Sequence, residues 1–193
     1  MHALLLILDL DETLICAHKA PLDRPHDFRV GPYFIYKRPF LDQFLDFCLS
    51  RFRLAVWSSA SDNYVQTISS TLFPKEDDLL FVWSEHRITY VRSLPHHYEK
   101  YCSDLGYYHD QKRLKKVSKA FRWPMNRILI VDDSPEKSAQ NYGNVIHPKP
   151  YYGDKQDDDL PKLASYLETL MDTPNLRAVE KRDWHQKVRP KEW

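Results

Sequence analysis

Leu4-Leu5-Leu6-Ile7-Leu8 is an apolar run with no polar alternation, the mark of a strand buried on both faces, and it stops at Asp9. Residues 54–57 and 128–131 have the same character. Each run ends in polar chemistry: Asp9-Leu10-Asp11-Glu12-Thr13 after the first, Ser58-Ser59-Ala60-Ser61-Asp62 after the second and Asp132-Asp133-Ser134-Pro135 after the third. Helical spacing fills the gaps. Phe40, Leu41, Phe44, Leu45 and Cys48 share a face, with Pro39 suited to the first turn. Tyr64, Val65, Ile68 and Leu72 follow a cap at Ser61 or Asp62. Residues 112–121 read as a basic helix with Leu114, Val117 and Phe121 on its apolar stripe, and residues 160–171 as a closing amphipathic helix. Shorter strands are predicted at 79–83, 88–91 and 144–147. This alternation predicts an α/β fold, a Rossmann-like parallel sheet flanked by helices.

Two stretches carry little periodicity. Residues 15–36 are broken by Pro21, Pro25, Gly31 and Pro32, with Tyr33-Phe34-Ile35-Tyr36 as a short strand or hairpin arm. Because this segment follows the acidic turn directly, it reads either as a flap over the site or as a plain surface loop. Residues 93–110 contain His96, His97 and His109, but a His pair without an acidic or thiol partner at ligand spacing is assigned no chemistry. Residues 1–171 are expected to form one domain and 172–193 a charged C-terminal tail, carrying Trp184 and Trp193, that either is partly disordered or packs back through an aromatic residue.

Composition narrows the function classes. The 193 residues, 42% hydrophobic, suit one domain with a sizeable core. Twenty-eight Lys and Arg against 27 Asp and Glu leave a formal charge of +1, so no global field points to nucleic acid or to an acidic membrane. Three widely spaced cysteines, Cys16, Cys48 and Cys102, fit a reducing compartment. With no basic start and two acids interrupting it, the apolar opening does not read as a signal peptide, and no other run approaches membrane-spanning length. A cytoplasmic protein is expected, or a nuclear one in a eukaryotic host.

The strand ends supply the chemistry. Asp9 reads as the last strand residue and Asp11 as part of the turn beyond it, at the carboxyl edge where open α/β sheets bind ligands. Two carboxylates this close repel each other, so the arrangement calls for a cation or a shared proton; oxygen donors suit a hard ion such as Mg²⁺. Helix capping explains Ser61 or Asp62 but leaves Ser58 over, and a hydroxyl with backbone N–H groups at a helix start suits phosphate. Asp132 and Asp133 repeat the acidic strand end, and a lysine from the basic segment could offset the accumulated negative charge.

In combination and order, these motifs resemble the haloacid dehalogenase superfamily. Within it they are similar to the phosphatases of the RNA polymerase II carboxy-terminal domain, the NLI-interacting-factor-like family, and their bacterial relatives. The narrower likeness rests on Leu8-Asp9-Leu10-Asp11-Glu12-Thr13-Leu14, Lys37-Arg38-Pro39, Trp57-Ser58-Ser59-Ala60-Ser61 with Tyr64 beyond, Val131-Asp132-Asp133-Ser134-Pro135-Glu136 and Lys149-Pro150-Tyr151-Tyr152-Gly153-Asp154. The resemblance implies Asp9 as nucleophile through an aspartyl-phosphate, and Asp11 as general acid and then base. Ser58 and Lys112 would bind phosphate, with Lys115 and Lys116 as rivals for the lysine. Mg²⁺ would be held by Asp9, the backbone carbonyl of Asp11, and Asp132 or Asp133; Asp133 is favoured as the direct ligand, with Asp132 orienting a water or the lysine.

Access bears on the substrate. About twenty residues separate Thr13 from Tyr36 and about forty separate Phe73 from Lys112, room for a short flap and a small insertion but for no large cap domain. The expected substrate is therefore a phosphorylated protein or peptide, at phosphoserine or phosphothreonine, with no direct nucleic-acid binding and no membrane association. The alternatives are a small-molecule or nucleic-acid-end phosphatase of the same fold, or a phosphate-binding module without turnover. Two-component receiver domains use similar groups, but their phosphoacceptor follows an early acidic pair, and here the order is reversed. The oligomeric state is left open.

Overall fold

The computed structural model describes residues 3–93 and 107–193. Its centre is a five-stranded parallel sheet. Taken along the chain, β1 is Leu5–Leu8, β2 Ile15–His18, β3 Phe28–Val30, β4 Tyr33–Lys37, α1 Leu41–Arg51, β5 Arg53–Trp57 and α2 Asp62–Leu72. There follow β6 at Leu79–Trp83, β7 at Thr89–Ser93, β8 at Tyr107–Gln111, α3 at Leu114–Phe121, β9 at Ile128–Val131, the short α4 at Pro135–Ser138, β10 at Val145–Ile146 and α5 at Asp159–Leu170. The strand order is β10-β9-β1-β5-β6, so the opening apolar run lies in the middle.

Each of the three apolar runs is buried at every position except Arg53, because helices cover both sheet faces. Leu6, Leu8, Leu54, Val56, Leu129 and Val131 face α1, α2 and α5, whereas Leu5, Ile7, Ala55, Trp57, Ile128 and Ile130 face Leu114 and Val117 of α3 with Phe81 and Trp83. Alternate residues of one strand thus enter opposite cores. The register pairs Leu8 with both Val56 and Val131, which brings the three polar strand ends to one edge.

The segment over 15–36 is more ordered than its composition suggests: β2, β4 and β3 make a three-stranded antiparallel sheet beside the acidic turn. Gly31 takes φ 55 in the two-residue link from β3 to β4, a conformation that favours glycine. A second small unit pairs β7 with β8, and β8 falls where periodicity was weak. Among the described residues there is no large cap. His96 and His97 lie outside the described residues, and His109 is an exposed residue of β8.

Two helix boundaries differ from expectation. Phe40 does not join the inward face of α1: it precedes the helix in the left-handed conformation at φ 65 and is 44% exposed. Lys112 is not on a helix, since α3 begins at Leu114. Apolar spacing extends a helical pattern backward without marking where the backbone departs from it. Beyond α5 the chain returns to the core, where Leu176 and Trp184 are buried. Among the described residues no helix is long and apolar enough to cross a membrane.

Candidate active site

At the carboxyl edge of the sheet, Asp9 follows β1 directly and its backbone N–H donates to Val131 O at 3.0 Å, tying it to the end of β9. The turn from Leu10 folds back on itself through Leu14 N and Ile15 N, both donating to Leu10 O. Glu12, at φ 61, is held there by its N–H to Ile15 O and by Tyr151 N–H to its carbonyl, each 2.7 Å. Asp9 and Thr13 are buried, while Glu12 is exposed at the mouth.

Asp9, Asp132 and Asp133 are all buried and offer carboxylate oxygens within 4.8 Å of one another. Thr13 connects the two acidic segments: its hydroxyl donates to Asp133 Oδ1 at 3.0 Å and accepts from Asp133 N at 3.2 Å. His147 adds a brace, its Nδ1–H donating to the Asp132 carbonyl at 2.6 Å.

Lys112 enters this cluster fully buried, with Nζ 2.9 Å from Asp9 Oδ2 and 2.8 Å from Asp132 Oδ2. Backbone contacts aim it. Lys112 N–H donates to Lys137 O at 2.8 Å, and the Asn141 amide both donates to Lys112 O and accepts from Leu114 N, at 2.5 and 3.1 Å. The other two candidates point elsewhere: Lys115 is exposed, and Lys116 donates to the carbonyls of Arg87 and Ile88.

Ser58 is buried at the end of β5, the strand beside β1, and its hydroxyl accepts from Ala60 N at 3.1 Å. Asp11 stands apart from the three-carboxylate cluster; its Oδ1 accepts from the Tyr64 hydroxyl at 2.5 Å. Tyr64 meets Tyr33 of β4 edge to face, with ring centroids 5.8 Å apart, so α2 and the small antiparallel sheet meet beside Asp11.

The electrostatics reflect crowded, dry acids. Burial pushes the Asp9 carboxyl up to about 7; Lys112 pulls it down, Asp132 pushes it further up and Lys137 pulls it down again. Burial also raises Asp11, opposed first by the Tyr64 hydrogen bond and then by Lys137. For Lys112, burial works against the charged form, but Asp132 and Asp9 outweigh it and hold the ammonium above its ordinary value. One ammonium among three buried carboxylates leaves negative charge over, and hard oxygen donors so close together fit a divalent cation.

Several of these contacts have no local signature in sequence. Arg38 is wholly buried: it binds Asp157 through Nε at 2.7 Å and Nη2 at 2.8 Å, and donates to the carbonyls of Thr13 and Lys149 at 2.9 Å each. It therefore fixes the loop 148–159 beside the acidic turn. Asn141 is likewise brought to Lys112 only by tertiary packing.

The sequence and the fold both have known relatives. The family model described as NLI interacting factor-like phosphatase matches residues 4–177. The chain is 30% identical to the CTD nuclear envelope phosphatase 1 homolog of Drosophila melanogaster, over 93% of this chain and 72% of that protein. It is 28% identical to the putative CTD phosphatase-like protein 355R of Invertebrate iridescent virus 3, over 86% of this chain and 96% of that one. Among solved structures, the fold is similar to that of the fission yeast RNA polymerase II CTD phosphatase Fcp1, with TM-score 0.53 at 19% identity, covering 96% of this chain. This chain spans 54% of that yeast chain. An uncharacterized protein from Listeria monocytogenes also shares the fold, with TM-score 0.55 at 12% identity over 86% of this chain and 98% of that one. The chain belongs to the NLI interacting factor-like phosphatase family of the haloacid dehalogenase superfamily.

Proposed function

We propose that the protein is a Mg²⁺-dependent phosphatase of phosphoserine or phosphothreonine in protein segments, acting through an aspartyl-phosphate on Asp9. The observation that carries this reading is Lys112 Nζ standing 2.9 Å from Asp9 and 2.8 Å from Asp132 beside a third buried acid. A lysine so held is positioned to receive phosphoryl oxygens next to the carboxylate that attacks.

In this reading an Asp9 oxygen attacks phosphorus and the ester P–O bond breaks. Asp11 gives a proton to the departing oxygen. Asp11 then takes a proton from water, whose oxygen attacks the same phosphorus, releasing phosphate and restoring the Asp9 carboxylate. Lys112 and Ser58 bind the phosphoryl oxygens. Asp9, Asp133, Asp132 and the Asp11 carbonyl are the groups that would hold the metal, which when bound supplies positive charge against the phosphoryl oxygens. Their oxygen chemistry supports Mg²⁺.

The macromolecular substrate is supported by the lack of a large cap among the described residues and by relatives named as CTD phosphatases. A cytoplasmic setting, or a nuclear one in a eukaryotic host, belongs to the same reading; Cys16 and Cys48 are buried free thiols. The test is Mg²⁺-dependent turnover of phosphopeptides against a panel of sugar, nucleotide and nucleic-acid-end phosphates, with Asp9→Asn and EDTA as controls. Higher kcat/KM on phosphopeptides, lost in Asp9→Asn, is expected. Preference for the small esters would overturn the substrate class, and full activity of a folded Asp9→Asn would overturn the nucleophile.

A further inference from the structure

Basic charge is concentrated on one helix. Between Asp110 and Asp132 the sequence has seven Lys and Arg and no acid, although the whole chain carries only +1. Leu114 and Val117 take one face of α3 into the core with Trp57 and Trp83, and Phe121 stacks on Phe81 with ring centroids 4.9 Å apart. The opposite face is left to solvent. It presents Lys115 and Lys119 one turn apart, with Lys116 beside them and Arg122 at the C-cap, all exposed. Lys116 Nζ donates to the carbonyls of Arg87 at 2.8 Å and Ile88 at 3.3 Å. That contact brings exposed Arg87, whose guanidinium lies 5.2 Å from the Trp83 ring centroid, alongside the helix.

This charge works against the helix that carries it. Cations in a first turn oppose the helix dipole, and like charges four residues apart repel. In α3, Lys115 and Lys116 follow an Arg113 N-cap with no acid in the first turn, and Lys115 faces Lys119. Burial and the charges of Arg113 and Arg87 hold the Lys116 ammonium below its ordinary value. Elsewhere exposed bases meet acids, as in Lys37 with Asp42, Lys162 with Asp158, Arg182 with Glu180 and Lys191 with Glu168. Lys115, Lys116, Lys119, Arg122 and Arg87 have no ion-pair partner among the described residues.

A helix that binds a bilayer keeps an apolar face free, but the apolar face of α3 is in the core. None of the exposed large apolar side chains, Phe40, Tyr90, Tyr142, Tyr152 and Trp193, belongs to it. The face is also close to the chemistry. Three residues separate Lys112 from Lys115, so their Cα atoms are at most about 11 Å apart, and α3 runs on for about 12 Å. We propose that the outer face of α3 is a docking surface for a polyanionic protein segment, acidic or multiply phosphorylated, continuous with the phosphoester being hydrolysed. The inference rests on the phosphatase reading above and adds the charge of the flanking substrate. An extended chain places those anions about three to seven residues from the phosphoester.

The experiment extends a phosphoserine peptide, on its N-terminal or its C-terminal side, by about eight residues rich in glutamate or, as control, in glutamine. On one of the two sides the glutamate tail should lower KM about tenfold, the product of three exposed pairs of about twofold each. Salt at about 0.5 M should remove most of that gain. The double variant Lys119→Glu, Arg122→Glu should bring the ratio of the two tails to one or below while leaving para-nitrophenyl phosphate turnover unchanged, and Lys119→Arg should keep the gain. Equal KM for glutamate and glutamine tails on both sides overturns the inference and leaves the phosphatase reading intact. So does a glutamate preference that survives in the double variant. Fluorescence anisotropy of the labelled, unphosphorylated glutamate tail reads docking without turnover, so binding lost in the double variant while no substrate is hydrolysed overturns the phosphatase reading instead. Tighter binding of single-stranded DNA or of phosphatidylserine vesicles than of the glutamate tail overturns the protein segment as partner.

Discussion

The hydroxyl of Tyr64 donates to Oδ1 of Asp11 at 2.5 Å. In the proposed reaction this bond holds the carboxyl that protonates the departing group. Tyr64→Phe removes the donor and keeps the ring contact with Tyr33. A hydrogen bond to a carboxyl group is worth about 1.5–3 kcal/mol, so kcat on a phosphoserine peptide should fall about tenfold or more. Para-nitrophenyl phosphate, whose leaving group needs little protonation, should lose much less. Equal losses on the two substrates would mean that Tyr64 serves only the packing of α2 against β4.

Asp133 tests the metal separately from turnover. Thr13 Oγ1 is within 3.0 Å of its Oδ1 and Ser134 Oγ within 3.3 Å of its Oδ2, so the carboxylate is already oriented before any ion arrives. Mg²⁺ at a hundred times its Kd should stabilise the wild type by about 2.7 kcal/mol, raising Tm by about 5–10 °C for a chain of this length. Asp133→Asn keeps the shape and removes one charge. Its Mg²⁺-induced Tm shift should be largely abolished, as read by calorimetry with and without EDTA; an unchanged shift would remove Asp133 from the ligand set.

Arg38 predicts a stability effect remote from the chemistry. Its guanidinium has no exposed surface and spans Asp157 and two backbone carbonyls, a planar fork that a lysine cannot reproduce. Arg38→Met should cost about 3–5 kcal/mol by leaving buried acids and carbonyls unpaired. Arg38→Lys should recover less than half of that. Urea unfolding monitored by tryptophan fluorescence measures both, and full recovery by lysine would show that charge alone, rather than the fork, holds loop 148–159.

Why Arg38 went unread as an anchor while Asp9 stood out is a matter of range. Strands buried on both faces need apolar residues at successive positions, so β1, β5 and β9 are visible as unbroken runs, and the polar residues that end them mark the sheet edge. The candidate site is legible for the same reason: Asp9, Ser58 and Asp132 each follow such a run directly, and Asp133 comes next. Contacts across 53 residues, as from Tyr64 to Asp11, or 119, as from Arg38 to Asp157, impose no period on the chain. Short strands such as β2 and β3 lie among prolines and half-exposed residues, where alternation is too brief to register. Phe40 and Lys112 misled because their types suit a helical face while their backbones lie outside the helices.

The C-terminal segment also bears on the site. Its composition leaves open a partly disordered tail or one that packs back through an aromatic residue, and it takes the second course: Trp184 is 1% exposed, lies tilted against Tyr166 of α5 and donates from Nε1 to His147 O at 2.9 Å. Lys181, also buried, donates to the carbonyls of Gly143 and Val179, each at 2.8 Å, and to that of Leu176. Because His147 in turn holds the Asp132 carbonyl, this segment supports the acidic edge through one intervening residue. Trp184→Ala should destabilise the protein by about 3–5 kcal/mol, whereas Lys181→Met, which strands three carbonyls, should cost about 2–3 kcal/mol. Trp184→Phe retains most of the packing but not the indole donor, so it should lose about 1 kcal/mol in unfolding free energy. If denaturant midpoints of all three variants match that of the wild type, the segment does not contribute to the folded core, and its contacts with His147 carry no weight at the site.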